Sequence, residues 1–376
     1  MSNVQNDIGW TGPEKIVLGD PVPWFRARTL SGSTIDLHVS AGRWIVLAFM
    51  GSAADQHTQT RLESLRQLAS SVSEDQMMIY IVLSDHSHDR DRLLATAGPV
   101  LKFIVDYDGA VGKPYGPDRL PKTAILDPML RVVANISCQE PASHDQLLAG
   151  YLRGLPAVDD SAGVPLVAPV LMVPRVLDFA LCDHLISLFE KIGGTDSGFL
   201  VDRGGQPATV TDHGKKNRRD LIIATPELQQ LIREQIVKRL LPAIKLGFQF
   251  EATHMDRYVV SRYDSDSGGH FYRHRDNMTP GVEHRRFAVS INLNGGYEGC
   301  DLIFPEFGRR SYRAPTGGAL VFSCSLLHEV RPITKGKRYV FLPFLYGNDD
   351  AEKGAQNAAM LRDIGLPYRA DEHRLQ

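Results

Sequence analysis

The C-terminal half of this 376-residue chain carries, in fixed order, three side chains suited to a metal and one suited to an anion. His274 and Asp276 close the segment RYDSDSGGHFYRHRD, residues 262–276; His328 follows in LHEV, and Arg338 in GKR. Two imidazoles and one carboxylate on one face of an octahedral Fe(II) leave three adjacent positions open. A bidentate 2-oxo acid fills two of them and O2 takes the third, so the set predicts oxygenation that depends on a keto acid. A guanidinium is the natural receptor for the distal carboxylate of a short dicarboxylic keto acid, because it offers two parallel N–H donors. Arg338 fits that part, and Tyr263 can add a phenolic hydrogen bond to the same group.

These residues need strands to bring them together. In an extended segment residues i and i+2 face one side, so His274 and Asp276 can converge on one ion. His328 is expected at the end of a strand over 319–322. A turn over 332–336 then lets Arg338 open the strand that pairs back, deeper in the same barrel. From about Met255 the chain reads as short strands punctuated by Gly, Pro and Asn, among them 286–293, 318–324 and 338–345. Such a texture suggests a jelly roll or barrel. Two helical patterns come before it, around 179–192 and 226–246.

Residues from about 170 to 348 resemble the prolyl 4-hydroxylase branch of the 2-oxoglutarate/Fe(II) dioxygenases. The resemblance rests on Arg262-Tyr263, the Gly-containing approach to His274 and Asp276, and Leu293-Asn294. It continues through Gly299-Cys300-Asp301-Leu302-Ile303-Phe304-Pro305 and His328 to Arg338. It implies a double-stranded β-helix with iron on His274, Asp276 and His328, and 2-oxoglutarate on Arg338 and Tyr263. It also implies hydroxylation of an aliphatic C–H bond of an amino-acid, peptidyl or small-metabolite substrate, with succinate and CO2 as co-products. Ascorbate is a candidate addition to Fe(II) and 2-oxoglutarate. Some positions depart from the family: Cys300 replaces a Gly, Leu302 stands where Thr is frequent, Arg338 replaces the Lys of the animal collagen enzymes, and Phe344 falls where Trp is common. These weaken proline as the substrate and leave the iron chemistry intact. Asp276 is absent from halogenating relatives, so its presence favours hydroxylation.

A His-x-Asp triplet alone says little, since 13 histidines yield roughly one by chance. His254-Met255-Asp256 is such a decoy, placed before Arg262-Tyr263. His270 and His284 read as surface or supporting histidines, and His86-Ser87-His88-Asp89 as an exposed loop. Cys300 and Cys324 read as buried small hydrophobes. The basic runs 215–219 and Arg285-Arg286 read as solvated loop or strand edge, with a substrate-facing loop as the alternative.

The first 150 residues alternate strands and helices. Runs at 44–50, 78–83 and 103–105 are strands, with helical patterns over 59–71 and about 89–97 between them. A hairpin follows from 123–126 through Asp127-Pro128 to 131–134. The expectation is a mixed sheet with helices on its faces. Gly19-Asp20-Pro21-Val22-Pro23-Trp24-Phe25, the strand after it, and Arg119-Leu120-Pro121-Lys122-Thr123 resemble the peroxiredoxin group of the thioredoxin fold. Pro121 falls where that fold often has a cis-proline. The family's reactive cysteine belongs near His57-Thr58, yet no cysteine precedes Cys138. A thiolate is the peroxide nucleophile, so peroxidase activity is not expected.

The fold class is therefore α+β: a thioredoxin-like α/β domain over 1–155 and a linker over 156–168, then a double-stranded β-helix with flanking helices over 169–350 and a tail over 351–376. A net charge of -2 gives no reason to expect nucleic acid or an anionic membrane. The N-terminus lacks a secretory pattern, and the four scattered cysteines form no CxxC pair. A cytoplasmic enzyme, with a homodimer as one assembly, fits best. Two rivals stand against it: a redox protein working through Cys138, and a non-catalytic interaction protein with a vestigial iron site.

Overall fold

The computed structural model describes residues 16–50, 56–84, 90–115, 122–137, 141–363 and 374–375. Pro121, Cys138 and the 86–89 cluster lie outside them. The chain divides into two units: Met1–Val167 with Pro305–Arg309, and Ala168–Phe304 with Arg310–Gln376. Among the described residues no helix is long and apolar enough to cross a membrane.

The first unit is thioredoxin-like. Its seven-stranded sheet runs Thr34–Asp36, Arg26–Thr29, Leu101–Val105, Met77–Leu83, Trp44–Met50, Lys122–Leu126, Val132–Ser137. The three central strands from Leu101–Val105 to Trp44–Met50 are parallel. Met77–Leu83 is buried at every position, as expected for a strand covered on both faces. Asp127 closes the hairpin by accepting the backbone N–H groups of Met129 and Arg131, each at 2.9 Å. Helix Gln56–Ser71 turns Leu65 into the core, and a further helix, Pro141–Gly154, contributes Leu148.

The second unit is a double-stranded β-helix, built from two sheets. The larger carries, in order, His254–Asp256, Phe344–Tyr346, Phe287–Asn292, Lys337–Phe341, Val259–Asp264, Arg219–Ile222 and Thr195–Asp196, with Ala319–Ser323 and Leu171–Val173 attached through Phe287–Asn292. The smaller runs Lys216–Asn217, His270–His274, His328–Val330, Leu302–Ile303, Ser311–Tyr312. Helices Phe179–Ile192, Pro226–Arg239 and Leu241–Phe248 supply Leu185, Phe189, Ile232, Ile236 and Ile244 to a core shared with Val260, Ile291, Val321 and Phe341 of the larger sheet. Each such side chain, fully buried, contributes about 1.5–3 kcal/mol. The first helix is capped by Asp178, which accepts from Leu181 N–H, and stops at Gly193 with φ 75°. Beyond Asp350 the chain forms helix Ala351–Asp363, whose Ala358 and Leu361 pack with Val282 and Leu200.

Two expectations are corrected. The helical pattern over 226–246 is two helices, because Pro242 cannot continue the first and sits in the opening turn of the second. The strand of Arg338 does not pair back on the strand leading to His328. Lys337–Phe341 pairs with Val259–Asp264 and Phe287–Asn292 in the larger sheet, whereas His328–Val330 belongs to the smaller. Residues 324–327 carry the chain from one sheet to the other.

Candidate functional site

His274 and His328 are direct cross-strand partners on neighbouring strands of the smaller sheet. That register sets their ring centroids 4.2 Å apart. Asp276 lies just past the end of its strand, and its backbone N–H is fixed by the carbonyl of Cys324 at 2.9 Å. The carboxylate then stands 3.5 Å from His274 Nε2 and 3.3 Å from His328 Nε2. The donor atoms of all three residues lie within 4.8 Å of one another. Among the described residues no other group of three His, Cys, Asp or Glu side chains does this.

Orientation is fixed from behind. His274 Nδ1 donates to Tyr272 O at 2.7 Å, and His328 Nδ1 to Leu326 O at 3.0 Å. A carbonyl can only accept, so each Nδ1 carries the proton and each Nε2 lone pair is left facing Asp276. Phe271 stacks on His274 with centroids 3.6 Å apart, and Phe322 packs edge-on to His328 at 4.8 Å. Burial, then the neighbouring His274, pushes His328 down to about 4, so its ring is neutral near pH 7. Burial opposes ionisation of Asp276, but the pull of His328 and His274, felt as those rings take up protons, outweighs it and holds the carboxyl below its usual range. Two imidazole nitrogens and one carboxylate oxygen fit Fe(II) with positions left open.

Arg338 stands in the larger sheet directly opposite Tyr263. It is 4% exposed, yet no carboxylate among the described residues lies within ion-pairing distance of it. Neutral acceptors hold the guanidinium instead: Asn292 Oδ1 at 3.0 and 2.9 Å, Ser290 Oγ at 3.0 Å and Cys300 O at 3.0 Å. The carbonyl of Cys300 reaches it because Gly299 packs against Pro332 O, where a Cβ would come within 2.5 Å. A buried cation is ordinarily paired. This one is left with its charge free for a carboxylate brought by a ligand, which fits the keto acid. The Tyr263 hydroxyl accepts from Arg218 Nη1 at 3.2 Å, and its own proton remains to be donated. Burial raises the pKa of this phenol against the pull of Arg218, so that proton stays in place.

The decoys are engaged elsewhere. Asp256 accepts from Arg285 Nε at 2.7 Å, and His254 stacks on Tyr346. His270 turns both ring nitrogens to backbone carbonyls, and His284 contacts Asn357 at 2.9 Å. Cys300 and Cys324 are buried free thiols. Sequence reasoning missed Ser290 and Asn292, although two polar residues at i and i+2 of an apolar strand were a readable signal. It also missed how the basic run 215–219 folds: Lys216 and Arg218 are buried, with Arg218 Nε 2.9 Å from Asp220.

Residues 258–346 match the 2OG-Fe(II) oxygenase superfamily, and residues 18–156 match the AhpC/TSA family. A PKHD-type hydroxylase of Methylobacterium nodulans is 30% identical over 183 residues, covering 44% of this chain and 73% of the relative. Another, from Janthinobacterium sp. (strain Marseille), is 26% identical over 181 residues, 45% of this chain and 74% of its own. A Pseudomonas putida prolyl-4-hydroxylase structure aligns over 50% of this chain and 95% of that one, at 17% identity and a TM-score of 0.36.

Proposed function

The chain belongs to the 2OG-Fe(II) oxygenase superfamily, and from that premise we propose that His274, Asp276 and His328 hold Fe(II) while Arg338, with Tyr263, holds the distal carboxylate of 2-oxoglutarate. The enzyme is a hydroxylase that uses Fe(II) and 2-oxoglutarate. The substrate in this reading is an amino acid, a peptidyl residue or a small metabolite, hydroxylated at an aliphatic C–H bond with succinate and CO2 as co-products. The observation that carries it is the pairing, in one unit, of a three-donor cluster with a buried guanidinium that has no counter-ion among the described residues.

The chemistry supplied by an ion at the cluster is redox coupling: two electrons from the keto acid and two from the C–H bond together reduce O2. The chain's own residues do the rest. His274 and His328 present lone pairs in one tautomer, and Asp276 offers its carboxylate without needing to lose a proton near pH 7. The aromatic rings of Phe271 and Phe322 cover the imidazoles and keep bulk water from the far side of the ligands. Asn292, Ser290 and Cys300 aim the guanidinium without neutralising it.

The thioredoxin-like unit is read as a docking, dimerising or substrate-presenting element, because no cysteine occurs in residues 1–137. The described cysteines are free, which suits the reducing cytoplasm. Incubation with Fe(II), 2-oxoglutarate and a host metabolite extract tests the reading. The expected product is heavier than its precursor by one oxygen and forms only with 2-oxoglutarate present. Anaerobic metal-loaded protein that takes up no 2-oxoglutarate would overturn it.

A further inference from the structure

Lys216 pairs with Phe271 across the edge of the smaller sheet. A bulge between Phe271 and His274 turns both of those rings to one face, where they stack. Lys216, opposite Phe271, shares that face with the proposed iron ligands, and its Nζ lies 4.9 Å from the Phe271 ring centroid. The residue is 5% exposed. Its Nζ donates to Gly198 O at 2.6 Å, and an ammonium has three N–H bonds to place. Among the described residues no carboxylate comes within ion-pairing distance of it.

Two other buried cations of this unit have counter-charges, whereas Arg257 is held by the carbonyl of Leu342 and the Phe344 ring. Arg218 meets Asp220 at 2.9 Å and Arg285 meets Asp256 at 2.7 Å, while Arg338 awaits the distal carboxylate in the reading above. With the distal carboxylate on Arg338, Fe(II) is balanced by the keto acid's other carboxylate and by Asp276, so the cofactors leave no anion over for Lys216. Burial, with Arg218 beside it, pushes the ammonium well below the usual lysine range, against the pull of Asp220 and Asp276. Such a group gains strongly from an anion that arrives with the ligand.

We propose that Lys216 is the anion receptor of the primary-substrate site, so that the molecule hydroxylated carries a carboxylate, seated on this ammonium while its C–H bond stands beside His274. The inference rests on the iron and keto-acid reading and names the substrate class for it. A free amino acid or other small carboxylic acid has the required group; a peptidyl residue flanked by amides does not, unless the peptide brings a terminal or side-chain carboxylate.

The test uses the full chain loaded with Zn(II) and 2-oxoglutarate, titrated calorimetrically with acetate and with acetamide, its neutral isostere. Wild type is expected to bind acetate about tenfold tighter, the worth of one hydrogen bond to a charged group. Lys216→Met should lose the preference and Lys216→Arg should keep it. Uptake of 2-oxoglutarate is measured first. Wild type that binds none overturns the reading beneath this inference and the inference with it. Wild type that binds 2-oxoglutarate but treats acetate and acetamide alike, or a preference that survives in Lys216→Met, overturns this inference alone. Should Lys216→Met fail to take up 2-oxoglutarate, Lys216→Arg decides: a retained preference supports the assignment and a lost one ends it. Separating a host extract by size then distinguishes the sources, since oxygenated product in the small-molecule fraction marks a free acid and product in the peptide fraction marks a peptide carboxylate.

Discussion

Replacing Arg338 by Met keeps an unbranched side chain and removes the charge with all five N–H donors. In the free protein the guanidinium spends those donors on Asn292, Ser290 and Cys300, none of them charged. Two effects on folding therefore oppose each other. The variant is freed from burying an unpaired charge, but it leaves acceptors without donors at about 1–3 kcal/mol apiece. The net change in stability should be no more than about 2 kcal/mol in either direction. Binding has no such offset. Losing one partner of a buried, hydrogen-bonded charge pair costs about 2–5 kcal/mol, and Arg218, which also lies by the Tyr263 ring, is held by Asp220 at 2.9 Å. The upper half of that range is expected, or a dissociation constant for 2-oxoglutarate raised roughly 300- to 5,000-fold. Arg338→Lys keeps the charge but not the fork, and should lose about tenfold. Calorimetric titration of Zn(II)-loaded protein measures both, alongside metal content. The reasoning is refuted if Arg338→Met binds 2-oxoglutarate within about threefold of wild type, or if it loses the metal as well, since Arg338 sits in the opposite sheet from His274 and His328.

His274→Ala and Asp276→Ala should each abolish succinate release and weaken metal binding by more than the roughly 10–100-fold typical of losing an outer partner; full metal content in either, by elemental analysis, would remove the residue from the ligand set. His144 in the thioredoxin-like unit is buried, with Nε2 3.0 Å from Thr123 Oγ1, and burial, then Arg61, holds its pKa below the ordinary value against the pull of Asp145. The unfolded chain therefore binds a proton first as pH falls, so this stabilisation is present above about pH 6.5 and is lost on acidification toward the folded value. Thermal unfolding from pH 7 to 5 should show that decline, and His144→Gln should flatten it; a parallel decline in the variant rejects the assignment. Cys138→Ser should leave 2-oxoglutarate-dependent succinate release unchanged, with no hydrogen peroxide consumption in either protein. Peroxide turnover lost in the variant would instead favour the redox rival.

What could be read from the sequence divides along physical lines. Iron chemistry admits few donor types, so His274, Asp276 and His328 stand out by identity and order. The strand Trp44–Met50 is legible because a seven-residue apolar run bounded by Arg43 and Gly51 has few other uses. Alternation in a strand says which side chains turn inward, but not which strand lies alongside, and so the partner of Lys337–Phe341 was misjudged. Helix Pro141–Gly154 escaped notice because its larger apolar residues, Leu147, Leu148, Tyr151 and Leu152, are bunched rather than spaced like Leu62, Leu65 and Leu68, and Leu147 and Tyr151 stay exposed while Leu148 enters the core. Asp276 converges on the histidines for a reason the spacing did not contain. Its strand has already ended at His274, and the hydrogen bond to Cys324 O, contributed by the turn before His328, sets its direction. Lys216 marks the deeper boundary. A lysine beside Lys215, Asn217 and Arg218 has the same letters whether it is solvated or walled in, and only the register with Phe271 separates the two cases. The polar residues that could have warned of it are those without a matching partner: a site that must receive anions keeps cations whose counter-ions are missing among the described residues, and that deficit is a property of the folded arrangement.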